Sequence, residues 1–351
     1  MSESMLAAVY YGPDDLRVEQ YPRPVTGSGD ALVKVIQSGI CATDLRILHG
    51  EHRKFPPGTI RIPGHEVVGE IVELGELVKG SQVGQLVFIA PNFGCGYCRQ
   101  CITGNNNRCA NYGALGITID GSFAEFMRVP QAAIRQGNLI PLETHIDPAS
   151  AALIEPFACV YRGQEALKIR PGENVVIMGA GPIGVMHLLL AKLRGAGKVI
   201  VSEPIPERAR IARDTGASLV VNPAAEDLAT IIRHETKGEG ADVVIVAVPS
   251  HQAQKESIGL AAIGGRINFF GGLPKDNPVI QLNSNLVHYN ELVLSGTTAC
   301  SSSDCRQAAE FVNAGLIDLS RLVSAHYPLK DAHQALQLAE SGKALKVIIE
   351  P

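Results

Sequence analysis

The chain has no tryptophan, and aromatic residues make up only 5% of its 351 positions. That scarcity leaves the polarity of any pocket open. Long apolar runs are missing too. LVFIAP and LVLSG are soon interrupted, well short of the roughly 20 residues a membrane helix needs. There is no basic surplus, since 31 Lys and Arg face 35 Asp and Glu for a formal charge of −4. A chain that lives on nucleic acid or on anionic membrane usually carries strong positive charge, so both partner classes are excluded. The opening MSESMLAAVYYG lacks a basic segment followed by an apolar core, so no secretory signal or transit peptide is expected. Fixed-period repeats and low-complexity segments are likewise absent. The expectation is a soluble, cytoplasmic protein whose partners are small molecules.

What the chain does have is eight cysteines, four of them in CGYCRQCITGNNNRC at positions 95 to 109. A chain of this length can bury an ample core and needs no disulfide staples. In a reducing cytoplasm, tight cysteine clusters are more often metal sites than disulfides. Tetrahedral zinc wants four soft thiolates, and Cys95, Cys98, Cys101 and Cys109 supply them from one loop. Four sulfurs leave no open position, so this metal is expected to be structural. The alternatives are buried or disulfide-bonded cysteine, or a zinc ribbon on nucleic acid; only Arg99 and Arg108 in the loop favour the ribbon.

Up to about residue 150 the sequence is rich in short β-type runs such as ALVKVIQSG and EVVGEIVELG, punctuated by Gly and Pro, which suggests an irregular, mostly β domain. After residue 170 apolar strands alternate with amphipathic helices: ENVVIMGAGPIG, KVIVSEP, SLVVNP, ADVVIVAVPS and RINFFGG. This is the pattern of a doubly wound α/β domain whose parallel sheet is covered on both faces. From about residue 293 the chain is expected to return to the first domain, ending in the helix HQALQLAESG and a last strand. RINFFGGLP is apolar enough to be an edge strand or an interior one.

Gly179, Gly181 and Gly184 stand in GxGxxG spacing between a strand and a helix, with Pro182 and Ile183 inside the turn. Glycines there permit the tight turn, the approach of backbone to a pyrophosphate, and close helix packing. The next strand ends in Glu203, where a carboxylate can accept hydrogen bonds from an adenosine ribose and repel a 2′-phosphate. Pro204 follows it, so NAD is favoured over NADP, while Arg208 keeps NADP open. A glycine turn that serves packing alone is the other reading.

Three further stretches carry ligand-type residues: SGICATD around Cys41, IPGHEVVG around His65 and Glu66, and ALIEPFACV around Glu155. Cys, His and carboxylate are the donors of a catalytic zinc, in which three protein groups leave room for water or substrate. CATD, GHE, the four-cysteine loop, IEP, GAGPIG and the closing helix and strand occur in an order that resembles the zinc-dependent medium-chain dehydrogenases, specifically their polyol and threonine branch. The resemblance covers nearly the whole chain.

It implies a GroES-like, mostly β catalytic domain (1–155 and 293–351) and a Rossmann cofactor domain (156–292). It implies a catalytic zinc held by Cys41, His65 and Glu66 or Glu155, so that with the structural ion there are two zinc ions per chain. Cys159 is expected to be structural. Thr43 matches the hydroxyl that hydrogen-bonds the reacting oxygen and starts a proton relay. Where the family usually has a histidine, this chain has Arg46, which cannot relay a proton; it is open to a role on cofactor phosphate. His49 is then the candidate for the relay, or a cap on a surface turn. Asp44 is expected to orient local backbone or a neighbouring side chain, and His288, His326 and His333 are left as structural.

The expected reaction is hydride transfer between NAD and a secondary alcohol of a polyol, cyclitol or sugar derivative, with zinc acting as Lewis acid. Arg53 and Lys54 are candidates to meet a phosphorylated substrate. A threonine-type amino-alcohol dehydrogenase, a simple alcohol dehydrogenase and a non-catalytic NAD- or zinc-binding regulator are the alternatives. The resemblance also implies a homo-oligomer, tetrameric or dimeric.

Overall fold

The computed structural model describes residues 3–351; Met1 and Ser2, the first two residues of the stretch read for a leader, lie outside it. Two units divide the chain, one made of Met1–Ala158 with Cys300–Pro351 and the other of Cys159–Ala299. No helix among the described residues is long and apolar enough to cross a membrane.

The first unit is built on a seven-stranded sheet. Its central strand, Ala31–Gly39, pairs antiparallel with Glu66–Leu74 on one side and with Lys346–Glu350 on the other. In ALVKVIQSG, Val33 and Val35 point into a core with Val67, Ile71, Val87 and Ile89, while Lys34 is exposed. That is the period-2 alternation of a half-buried strand. The last strand, KVIIE, is buried almost throughout and sets Ile348 opposite Gly39. The C-terminal strand thus carries Lys346 to the end of the central strand, where Glu66 also begins its own strand opposite Gly39. A Cβ at position 39 would lie 2.2 Å from Glu66 Oε2, so glycine is required for this approach.

In the second unit six strands run parallel in the order Leu219–Val221, Lys198–Ser202, Asn174–Met178, Ala241–Val246, Ala261–Phe269, Val293–Gly296. Strands such as NVVIM are buried continuously, as expected for a sheet covered on both faces. The order reverses at Asn174–Met178, whose sequence neighbour Lys198–Ser202 lies on one side and Ala241–Val246 on the other. In an open α/β sheet the crevice beyond that point is where ligands bind.

Two placements differ from the sequence reading. Residues 293–299 do not return to the first unit, because Val293–Gly296 is hydrogen-bonded to Ala261–Phe269 as the edge strand of the parallel sheet. RINF, the first part of RINFFGG, lies in the strand inside that edge, which ends at Phe269. The helix Ile154–Leu167 runs through the boundary expected at 155/156, and the units part at 158/159 within it.

Candidate metal centres and nucleotide loop

Cys41 caps the short helix Ala42–Leu48, and its backbone N–H donates to Asp44 Oδ2 at 2.9 Å. The other Asp44 oxygen lies 3.4 Å from His65 Nδ1, so this buried aspartate both closes the helix start and faces the imidazole. Donor atoms of Cys41, His65 and Glu66 all lie within 4.8 Å of one another. Burial opposes charging of His65, but Asp44, with the Cys41 sulfur, outweighs it and raises the imidazole's pKa.

Glu66 is fully buried and ion-paired through Oε2 to the Lys346 ammonium, which also donates to the Ile40 carbonyl at 2.7 Å. Burial works against the Lys346 charge, and Glu66 more than compensates, so the ammonium's pKa is raised. Glu66 Oε1, His65 Nδ1 and Asp44 Oδ1 are buried with no hydrogen-bond partner among the described residues. Buried polar atoms are normally satisfied. A carboxylate oxygen with no donor, beside a thiol and an imidazole, fits a divalent cation of the zinc type.

Glu155, near the start of the helix Ile154–Leu167, is not part of that close trio. Its Oε1 lies 3.5 Å from Cys300 Sγ. Burial is the main reason its pKa is raised, with the Glu66 charge adding to this and His65 and Lys346 opposing it. The two groups of donors are therefore electrostatic neighbours.

Thr43 lies in the first turn of the capped helix, and its Oγ1 accepts from Arg46 Nη2 at 3.2 Å. His49, expected either to serve the relay or to cap a surface turn, is the C-cap residue of the same helix. Its Nδ1 is 2.7 Å from Asp14 and its Nε2 2.8 Å from Glu340, so both ring nitrogens are engaged by carboxylates. Those two hydrogen bonds raise its pKa. These contacts tie the end of the helix to the segments that carry Asp14 and Glu340. Lys54 sets its ammonium 5.2 Å over the Tyr112 ring, and His326 pairs with Glu350 at 2.9 Å.

The four-cysteine loop gathers its sulfurs as its spacing suggests. Cys95 Sγ to Cys101 Sγ is 4.0 Å, Cys98 to Cys101 3.5 Å and Cys98 to Cys109 3.8 Å. A tetrahedron with Zn–S bonds of about 2.3 Å has edges of about 3.8 Å, so these distances fit one ion. Backbone N–H groups of Tyr97 and Cys98 draw the Cys95 thiol down to about 6, while burial pushes the Cys101 thiol up to about 12. The lobe is fastened to the first unit by Asn106, which donates to Ser302 Oγ at 2.5 Å and accepts from the Ser302 N–H at 3.1 Å.

In the second unit Gly179 has φ +104°, and a Cβ there would come within 2.3 Å of Val248. A Cβ on Gly184 would lie 1.9 Å from the Gly179 carbonyl oxygen. At Gly181 an added Cβ would find nothing nearer than Arg208 Nη1 at 4.0 Å. Two glycines are thus required by packing, while the middle one fronts open space at the start of the helix Pro182–Leu193. Pro182 is the first residue of that helix, where its missing N–H costs nothing, and Ile183 follows it. Glu203 is buried, accepting from Ala180 N at 2.7 Å through one oxygen and from Ile205 N at 2.9 Å through the other. It braces the turn, and each oxygen keeps a second lone pair for a ribose hydroxyl.

Lys346 and Cys300 escaped the sequence reading. Lys346 had a signal, being a lysine at the head of an otherwise apolar strand in KALKVIIE. Cys300 had only its spacing of five to Cys305.

Residues 27–140 match the alcohol dehydrogenase GroES-like domain, and 182–314 match the zinc-binding dehydrogenase domain. An L-threonine 3-dehydrogenase of Caldanaerobacter subterraneus subsp. tengcongensis is 34% identical, covering 93% of each chain. A sorbitol dehydrogenase of Halalkalibacterium halodurans is 31% identical over 99% of this chain and 98% of its own. The crystal structure of a zinc-binding dehydrogenase from Sinorhizobium meliloti 1021 bound to NADP superposes with a TM-score of 0.92 at 32% identity, covering 100% of both chains.

Proposed function

The chain belongs to the zinc-dependent medium-chain dehydrogenase family, and from that premise we propose that it oxidises a secondary alcohol of a polyol, cyclitol or sugar derivative with NAD as hydride acceptor. The observation that carries this reading is the Cys41, His65 and Glu66 trio, in which a buried carboxylate oxygen has no hydrogen-bond donor. A zinc ion there supplies Lewis acidity, which lowers the pKa of an alcohol as it does that of water. The ion's protein donors are Cys41, His65, Glu66 and Glu155, and the four-cysteine loop holds a second, structural zinc.

The remaining roles belong to side chains of this protein. Asp44 orients the His65 ring, and Lys346 fixes one oxygen of Glu66 and balances its charge. Thr43 receives the alcohol proton at Oγ1. Arg46, donating to that same oxygen, holds the hydroxyl in place as its own proton passes to solvent water, and takes up no proton itself. Gly179, Gly181, Pro182, Ile183 and Gly184 receive the pyrophosphate at a helix N-terminus. Glu203 receives the adenosine ribose and disfavours a 2′-phosphate. Arg208 beside Gly181, together with the NADP held by the S. meliloti relative, gives NADP as the second reading.

A threonine-type amino-alcohol dehydrogenase is the alternative reaction, supported by the 34% identical relative of that name. On this reading the protein works in the cytoplasm as a homo-oligomer. The test is NADH formation with sorbitol, myo-inositol, L-threonine and simple alcohols. Turnover is expected with a polyol, lost in Cys41→Ser and His65→Ala while nucleotide binding persists. If no alcohol gives zinc-dependent turnover, the enzyme reading falls and a regulatory role replaces it.

A further inference from the structure

Asp14 stands in a left-handed backbone conformation, at φ 59°, in the two-residue turn between the strands Ser4–Gly12 and Asp15–Pro22. Outside glycine that region is sparsely populated, and it persists where the surroundings fix it. Here they do. The Asp14 N–H donates to the Leu48 carbonyl at 2.7 Å, and the Asp14 carboxylate meets His49 Nδ1 at 2.7 Å. Gly50 lets the two segments approach, since a Cβ there would come within 2.6 Å of Pro13 Cγ. The other ring nitrogen of His49 reaches Glu340, the last residue of the helix Ala332–Glu340.

A neutral imidazole has one N–H and one lone pair, so it donates to one carboxylate and sets its lone pair against the other. Carboxylates at 2.7 and 2.8 Å on opposite nitrogens therefore require an imidazolium. The helix ends favour it too. His49 caps the C-terminus of Ala42–Leu48, and Glu340 puts a negative side chain at the C-terminal end of its own helix, where the dipole disfavours it. Among the described residues His49 is the only ion-pair partner of Asp14 and of Glu340. The other ionisable groups on these elements are engaged or distant. Tyr10 is buried and feels the Asp14 charge, Tyr11 bonds to Glu19, and Asp15 pairs with Arg17. Arg46 turns to Thr43, and His333 lies at the opposite end of its helix from Glu340.

We propose that His49 is a proton-operated clamp on the helix Ala42–Leu48. As imidazolium it joins that helix to the Asp14 turn and to the helix Ala332–Glu340; once its proton leaves, one carboxylate is released and the helix end loosens. Cys41 is the N-cap of the clamped helix and Thr43 lies in its first turn, so the clamp ties the start of the candidate site to the C-terminal helix. The two hydrogen bonds hold the imidazolium to higher pH than in the unfolded chain. Its stabilisation is complete below about pH 6.5, the ordinary histidine value, and is lost as pH rises through the folded titration.

The test uses the zinc-loaded full chain labelled with 15N-histidine, the His49 signals being identified by their loss in His49→Gln. Both His49 nitrogens are expected to be protonated at about pH 6, with a titration midpoint above about 6.5. The midpoint should fall in Glu340→Gln and in Asp14→Asn, where asparagine suits the left-handed backbone. Hydrogen exchange of peptides spanning 10–16 and 42–50, corrected for the intrinsic rate at each pH, reads the docking. The range runs from about pH 5.5 to 9, above the ordinary titration of carboxylates. Wild-type protection should fall by about two- to fivefold as His49 loses its proton, the size of one charge at a helix terminus, and stay level in His49→Gln. A neutral His49 ring at about pH 6, a midpoint at or below about 6.5, or equal pH trends in wild type and His49→Gln overturns the proposal. Neither measurement needs alcohol turnover, so the clamp stands or falls separately from the dehydrogenase reading.

Discussion

The Lys346 ammonium and the Glu66 carboxylate form an ion pair inside the first unit, with side chains 5% and 0% exposed. They are 280 residues apart in sequence, and the pairing exists because the C-terminal strand joins the central strand next to the one that starts at Glu66. The lysine engages one carboxylate oxygen and leaves the other without a donor among the described residues. One charge is thus balanced while a ligand atom is kept available.

Lys346→Met should therefore destabilise the protein by about 3–5 kcal/mol, the usual cost of leaving one partner of a buried pair uncompensated. Urea denaturation of the zinc-loaded protein measures it. Lys346→Arg should recover part of the loss, and the double variant Lys346→Met with Glu66→Leu should lose less than the single, since both charges are then gone. A loss below about 1 kcal/mol in Lys346→Met would mean that the pair behaves as a solvated one.

The three loop glycines predict different outcomes for the same substitution. Gly184→Ala forces a Cβ against the Gly179 carbonyl and should cost about 1–3 kcal/mol of stability, as overpacking does. Gly181→Ala meets nothing within ordinary contact, and its backbone at φ −67° and ψ −177° suits any residue. It should leave unfolding unchanged and weaken nucleotide binding about tenfold or more, equivalent to at least about 1.4 kcal/mol. NADH fluorescence titration with direct excitation of the nicotinamide reads this. Equal affinity in Gly181→Ala and wild type would show that the pyrophosphate lies elsewhere.

Residues whose partners are close in sequence were legible from sequence alone. The four sulfurs of 95–109 and the glycine turn are local, so spacing reports their geometry. The role of His49 is set by Asp14 and Glu340, 35 and 291 residues away, and no local pattern records either. Cys300 meets Glu155 across 145 residues for the same reason. The short run at 293–296 was misplaced because four apolar-to-small residues read alike in either sheet; only pairing with Ala261–Phe269 assigns them.

His187 offers a pH test of the second unit. Burial drives its pKa down to about 3, and its Nε2 has no hydrogen-bond partner among the described residues. Gln164 Nε2 lies 3.3 Å from Nδ1, and the Phe270 ring stands edge-on at 4.8 Å. In the unfolded chain the group titrates near 6.5. Below that pH the unfolded state binds a proton that the folded state refuses, so stability falls as pH drops from about 6.5 toward about 3, by about 1.4 kcal/mol per unit. His187→Gln should lack this contribution. Subtracting its urea stability from that of the wild type between pH 7 and 4.5 isolates the slope, and a flat difference would show an imidazole that charges freely in the folded state.

The parallel sheet ends in Val293–Gly296, which among the described residues pairs with a strand on one side only. An unpaired edge is a template for another strand unless it is blocked by charge, proline or a covering element. Here Val293 is 54% exposed, and Tyr289, at the end of the helix just before it, is 74% exposed. Both are apolar or amphipathic, and no lysine or proline interrupts the strand. If the proposed homo-oligomer is joined at this edge, a twofold axis would pair the strand antiparallel with its copy and bury the same residues from each chain. Light scattering should then give the wild type a mass of at least two chains. Val293→Lys with Tyr289→Lys, which sets like charges against each other across the axis, should give single chains with the fold intact by circular dichroism. A wild type that scatters as one chain, or a double lysine variant that keeps its assembly, removes this edge from the interface.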